Sequence, residues 1–89
     1  MQEGKLLRIF RISNDLSISK LSELAGCSKS YLTELEKGKK TASSEMLDKL
    51  IGAMNINIKT FLEVKNKIEK NHYEQDFQKC LYIVLKVYL

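Results

Sequence analysis

Between Ser28 and Lys37 the chain gathers side chains that hydrogen-bond well, with no reaction centre among them. Lys29 donates only, Ser30 donates and accepts, and Thr33 adds a methyl group to its hydroxyl. Glu34 accepts only, and Tyr31 carries a phenolic hydroxyl on an aromatic ring. Lys37, Lys39 and Lys40 follow as a short basic run. Covalent chemistry needs a nucleophile beside a base, or a spaced set of ligands. The single histidine, His72, stands apart from any cluster and reads as a surface residue, and there is no HExxH and no Gly-rich phosphate loop. Cys27 and Cys80 lack CxxC spacing, so neither a disulfide framework nor a zinc site is expected. No catalytic residue, metal or cofactor is therefore expected. These residues recognise rather than react.

The elements that position them read as two short helices joined by a tight turn. Ser17 is the expected N-cap of the first, because its hydroxyl can accept a backbone N–H that the first turn leaves free. Ile18, Leu21, Leu24 and Ala25 give that helix one apolar face. Gly26 stands at the turn, where a positive φ costs glycine nothing. Ser28 can cap the second helix, with Leu32 and Leu35 pointing inward and Gly38 marking its end. Two helices with a Gly-containing turn, the second polar near its start, describe a helix-turn-helix.

The rest of the chain reads as further helices. The first is expected over about Glu3 to Asn14, with Leu7 and Phe10 inward, Leu6 at the edge and Arg8 and Arg11 on the flank. Ile9 and Ile12 fall on the far side. Ser43 caps a helix whose Leu47, Leu50, Ile51 and Met54 recur at helical spacing, and Asn55 closes it. Asn57 opens a fifth, with Ile58, Phe61 and Leu62 inward. Proline is absent and glycine scarce, as suits an all-α domain.

Eighty-nine residues, 44% hydrophobic and 29% charged, make one small folded unit rather than a disordered chain. The net charge is +4 and the pI about 9.1, compatible with a polyanionic partner. The positive excess lies early: the first forty residues hold eight basic side chains against five acidic, whereas residues 71–89 are balanced. No leader-like segment opens the sequence, and the longest apolar run, Cys80 to Leu85, is too short to cross a bilayer. A cytoplasmic protein is expected.

The string AGCSKSYLTELEKGK resembles the turn and recognition helix of the Cro/repressor-type helix-turn-helix (XRE) family, and SinR-like regulators are especially similar around KSYL. The resemblance runs from about Gly4 to Leu62. It implies a five-helix, lambda-repressor-like domain over residues 1–63 that binds double-stranded DNA as a transcriptional regulator, with repression the expected direction. It places Lys29, Ser30, Thr33 and Glu34 at base-reading positions. Lys29 suits guanine O6 and N7, Thr33 a thymine methyl, and Glu34 a cytosine amino group. Glu34 reads equally as a rim charge bound to Lys37. Contacts to the DNA backbone would fall to Ser17, Lys20, Ser28, Tyr31, Lys37, Lys39 and Lys40. One departure stands out: the family often has Gln where this chain has Ile18, which cannot make that phosphate contact.

Residues 64–89 lie beyond the resemblance. Val64 to Lys70 can extend the fifth helix, and Asn71 with Glu74 resembles a capping box. Tyr73, Phe77, Cys80, Leu81, Val84 and Tyr88 then recur at spacings of three and four, the pattern of an amphipathic helix, although YIVLKVYL suits a strand as well. A tail this apolar must be covered. Self-association as a homodimer through Phe77, Leu81, Val84 and Tyr88 is the favoured expectation. Packing over Ile9 and Ile12 is the second. The functional alternative is an antitoxin-like or antirepressor-like protein whose tail binds a different protein. RNA binding lacks the aromatic platform that single strands require.

Overall fold

Side-chain acceptors decide where the helices begin. The structure, a computed structural model, describes residues 1–88. It contains six helices: α1 Glu3–Ser13, α2 Ile18–Ala25, α3 Lys29–Glu36, α4 Ser44–Ala53, α5 Ile58–Lys70 and α6 Phe77–Tyr88. Ser17, Ser28 and Ser43 accept the N–H groups of Lys20, Tyr31 and Met46 at 3.0, 3.0 and 3.1 Å. Asn57 accepts from Thr60 at 2.7 Å. Each satisfies a donor that the first helical turn leaves free. These four caps are the ones the sequence predicts.

Asn71 is a correction. It ends α5 instead of opening the tail helix, and its side-chain amide donates to the Lys67 carbonyl at 2.8 Å. The tail helix opens at Asp76, whose carboxylate accepts the Lys79 N–H at 3.1 Å. Asn and Asp both cap well, but only Asp76 stands directly before the apolar run. Between them His72 takes a left-handed φ of 59° and redirects the chain.

Each of the first five helices closes in the same way. A residue with positive φ (Asp15, Gly26, Gly38, Asn55 or His72) follows the helix, and the next N–H reaches back five residues to a helical carbonyl. That pairing satisfies carbonyls left without a helical partner. Leu16, Ile56 and Tyr73 are those next residues after α1, α4 and α5, and all three pack on the core. The loops are short because the turn is built into each helix end.

Contacts then follow from the apolar faces. α1 packs on α3 and α6, α2 on α3 and α4, and α5 on α4 and α6. Leu6, Leu7, Ile9 and Phe10 of α1 are all inaccessible or nearly so. The Phe10 ring lies 5.7 Å from Phe61, stacked, and 5.4 Å from Tyr88, edge-on. Leu32, Leu35, Leu47, Leu50, Ile51 and Met54 point inward as the sequence predicts. Leu24, Ile58 and Leu62 do not: they are 50%, 43% and 43% exposed. In α5 the inward stripe is Phe61, Val64 and Ile68 instead, because the helix continues to Lys70 and meets α6 along that side.

The expected boundary between residues 63 and 64 therefore falls inside a helix. The tail is helical rather than extended, and α6 buries Cys80, Ile83 and Val84 in the same core as α1 and α5. The Cys80 thiol donates to the Tyr73 carbonyl at 3.1 Å, and burial pushes its pKa up. The Tyr88 hydroxyl stands 3.1 Å from both the Asn14 side-chain oxygen and the Met54 carbonyl. A fully buried aliphatic side chain contributes about 1.5–3 kcal/mol, so α6 adds several to the core before the entropy of ordering it is subtracted. Among the described residues no helix is long and apolar enough to cross a membrane.

Candidate functional site

Two leucines anchor α3 and free its other side. Leu32 and Leu35 are 0% and 2% exposed, while Lys29 and Ser30 stand in solvent and Tyr31, Thr33 and Glu34 are half-buried. Lys29, Thr33 and Lys37 are spaced by four, so they form one stripe along the helix. Ser30 and Glu34 form the neighbouring stripe. The four residues expected to read bases are thus brought together on one accessible helical surface.

Two contacts fix where that surface points. Arg11 of α1 holds Glu36 through Nε and Nη2 at 2.8 and 3.0 Å, and its Nη1 donates to the Leu16 carbonyl at 2.8 Å. The two side chains are only 12% and 5% exposed. A bidentate pair of this kind constrains orientation as well as distance. Close by, Gly4 lies against α3 so tightly that a Cβ there would fall 1.9 Å from the Leu35 carbonyl oxygen. The absence of a side chain lets the two helices meet backbone to backbone. Sequence reasoning left Arg11 on the flank of α1 and missed both Glu36 and Gly4. Residues 11 and 36 are twenty-five apart, and no local spacing links them.

The expected backbone contacts divide into groups. Ser17 and Ser28 spend their oxygens on caps, which leaves each hydroxyl proton free to be donated outward. Lys20 and Lys39 are exposed. Glu34 pairs with Lys40 at 3.1 Å rather than with Lys37, which is a correction. The loop after α3 folds Lys40 back, and the same ammonium sits 5.8 Å from the Tyr31 ring centroid. Both partners are about half exposed, so the pair contributes only about 0–1 kcal/mol. Lys37 instead lines a cleft with Gln2, Lys5, Arg8, Arg11, Ile18, Thr33 and Glu36. Cys27, in the turn, is half-buried, and burial pushes its pKa up.

The four residues expected to pair two copies do not form one outward seam. Val84 is fully buried within its own chain, which corrects its assignment, and Leu81 and Tyr88 are half-buried against the same core. Phe77 is 36% exposed, with the Arg8 guanidinium 5.6 Å from its ring centroid. The apolar side chains of α6 that face outward most are Tyr82 and Leu85, 57% and 44% exposed.

The helix-turn-helix family model matches residues 7–61 of the chain. The HTH-type transcriptional regulator SinR of Bacillus subtilis (strain 168) is 31% identical over 67 residues, which cover 74% of this chain and 60% of that protein. The HTH-type transcriptional regulator SinR of Bacillus licheniformis matches with the same identity and the same coverage. The chain thus spans less than two thirds of the length of these relatives. No solved structure matches it significantly.

Proposed function

This chain belongs to the XRE-type helix-turn-helix family, and we propose that it reads double-stranded DNA sequence-specifically and regulates transcription by occupying its site, with repression as the direction. The observation that carries this reading is α3 itself: a helix anchored by Leu32, Leu35 and the Arg11–Glu36 pair, with Lys29, Ser30, Thr33 and Glu34 presented together on its free side. In such a motif the second helix enters the major groove N-terminus first and the preceding helix crosses the backbone. Lys29 then donates to guanine, Ser30 contacts either base type, and the Thr33 methyl meets thymine. The N-terminus of α2 at Ser17, the exposed Lys20, Ser28 with the opening N–H groups of α3, Tyr31 at its ring edge, and Lys37, Lys39 and Lys40 supply phosphate contacts. The likeness to regulators of two Bacillus species supports work on DNA in the cytoplasm.

Pairing of two copies would double the contacts and read an inverted repeat. The outer face of α6 supports it: Tyr82 and Leu85 stay exposed, with Phe77 and Leu81 beside them, while Val84 and Tyr88 serve the chain's own core. The same face would serve a different protein partner in an antitoxin-like or antirepressor-like role, and burial of Cys80, Ile83 and Val84 reduces the apolar surface open to either partner.

The test is to recover and sequence the fragments of sheared host DNA that the protein retains at moderate salt. Enrichment of an inverted repeat with half-sites about one helical turn apart is the expected result. Retention of random fragments, lost as salt rises, would overturn specific readout. Lys29→Ala is expected to cost about 1–3 kcal/mol on the enriched site and to relax one base position. An equal loss on random duplex would reassign Lys29 to phosphate.

A further inference from the structure

We propose that Lys5 and Arg8 of α1 form a DNA phosphate site beside α3, and that the chain leading into α6 holds them there. The proposal rests on the DNA-binding reading and extends it to residues outside the helix-turn-helix. The cleft they line also contains Thr33 and Lys37, two members of the Lys29 stripe, and Ile18, the first residue of α2. A phosphate lying across the start of α2 is therefore within the same cleft as Lys5, Arg8 and Lys37. Its one carboxylate, Glu36, is occupied by Arg11, and among the described residues no acid pairs with Lys5, Arg8 or Lys37. The cleft thus gathers three cations, Lys5, Arg8 and Lys37, that have no ion-pair partner among the described residues.

Both new cations are restrained from the tail side. The Lys5 ammonium donates to the Glu74 carbonyl at 2.7 Å, which uses one of its three N–H donors and leaves two for a ligand. The Arg8 guanidinium is 5.6 Å from the centroid of Phe77, an arrangement in which the ring takes a face and the N–H edge stays free. Side chains already ordered lose less freedom when they bind. Phe77 is thus a positioning residue for Arg8, and α6 serves the DNA surface without touching DNA.

Salt dependence on a short random-sequence duplex tests the site without knowledge of the operator, since each lost phosphate contact lowers the slope of log K against log salt by about one. Lys5→Gln and Arg8→Gln should each lower it by about that amount, and the pair by about two, under conditions where each variant is folded. Lys67→Gln removes the same charge from the groove between α5 and α6 and should leave the slope alone. Phe77→Leu should weaken binding and lower the slope by less than one unit, and Phe77→Tyr should restore both. Slopes for Lys5→Gln and Arg8→Gln equal to that of Lys67→Gln would overturn the site, because only total charge would then matter. A parent protein that fails to bind duplex DNA would overturn the underlying reading as well.

Discussion

α3 and α6 are both amphipathic helices that pack on α1, yet they are attached by different chemistry. α3 has two buried leucines and is fixed by the buried Arg11–Glu36 pair and the bare backbone of Gly4. α6 has three buried residues and is held mainly by burial, with the Phe10–Tyr88 ring contact and the Tyr88 hydroxyl, 3.1 Å from Asn14 and Met54 oxygens, at its last turn. Hydrophobic contact is non-directional, so along most of its length α6 is not constrained in orientation as a buried bidentate ion pair constrains α3. A helix that must present particular donors to base edges needs directional contacts, and those are found at α3. The same α1 thus serves as a precise mount on one helix and as a core-forming surface on the other.

Breaking the directional contact should have the largest effect. Arg11→Leu leaves the Glu36 carboxylate buried and unpaired, and removal of one partner of such a pair costs about 3–5 kcal/mol. The urea midpoint should fall accordingly. Arg11→Leu with Glu36→Leu should recover much of that stability but not specific DNA affinity, because the orientation of α3 would no longer be fixed. Full recovery of both would mean that the pair merely fills space. Gly4→Ala comes next. Its Cβ meets backbone rather than a flexible side chain, and overpacking of this kind costs about 1–3 kcal/mol or more. Specific binding should suffer beyond the stability loss, since α3 must move to make room.

Val84→Ala probes the other attachment. It removes two buried methyl groups from α6 and should cost about 2 kcal/mol by thermal or urea unfolding. Under conditions where the variant is folded, its discrimination between specific and random duplex should match the parent. A loss of discrimination equal to that of Gly4→Ala would show that α6 also sets the orientation of α3, and the contrast between the two helices would disappear.

Local signals made much of this legible. The caps at Ser17, Ser28, Ser43 and Asn57, the turn at Gly26 and the left-handed Asn55 all follow from short-range chemistry, and the structure repeats them. The inward sides of α2 and α5 were less legible. Leu24, Ile58 and Leu62 have the right residue type, but which side of a helix is covered depends on its neighbour, and α6 covers the side of α5 that carries Val64 and Ile68. Phe77, Leu81, Val84 and Tyr88 gave a helical period that was real, but a period does not say whether the covering surface belongs to the same chain. The Arg11–Glu36 pair was beyond local reading for the same reason. By contrast, Arg8 and Arg11 were a visible cationic flank of α1 whose neighbour could not be known, and Lys5, one turn earlier, was not singled out.

The smallest effect on stability should come from Glu34, and it is the most informative about the free side of α3. The Glu34–Lys40 pair is about half exposed, so Glu34→Gln should change unfolding free energy by no more than about 1 kcal/mol. Its effect on DNA separates two roles. As a rim charge, Glu34 holds Lys40 back over Tyr31, and its neutralisation should release Lys40 to phosphate and strengthen binding to every duplex alike. As a base reader, it accepts a hydrogen bond from a cytosine amino group, and Gln should change preference at one base position by about 1–3 kcal/mol while leaving others untouched. Side-by-side titrations of the enriched site, single-base variants of it and random duplex distinguish the two. The Lys40 contact favours the rim role, because a carboxylate already bound to an ammonium must give up that partner before it can accept from a base.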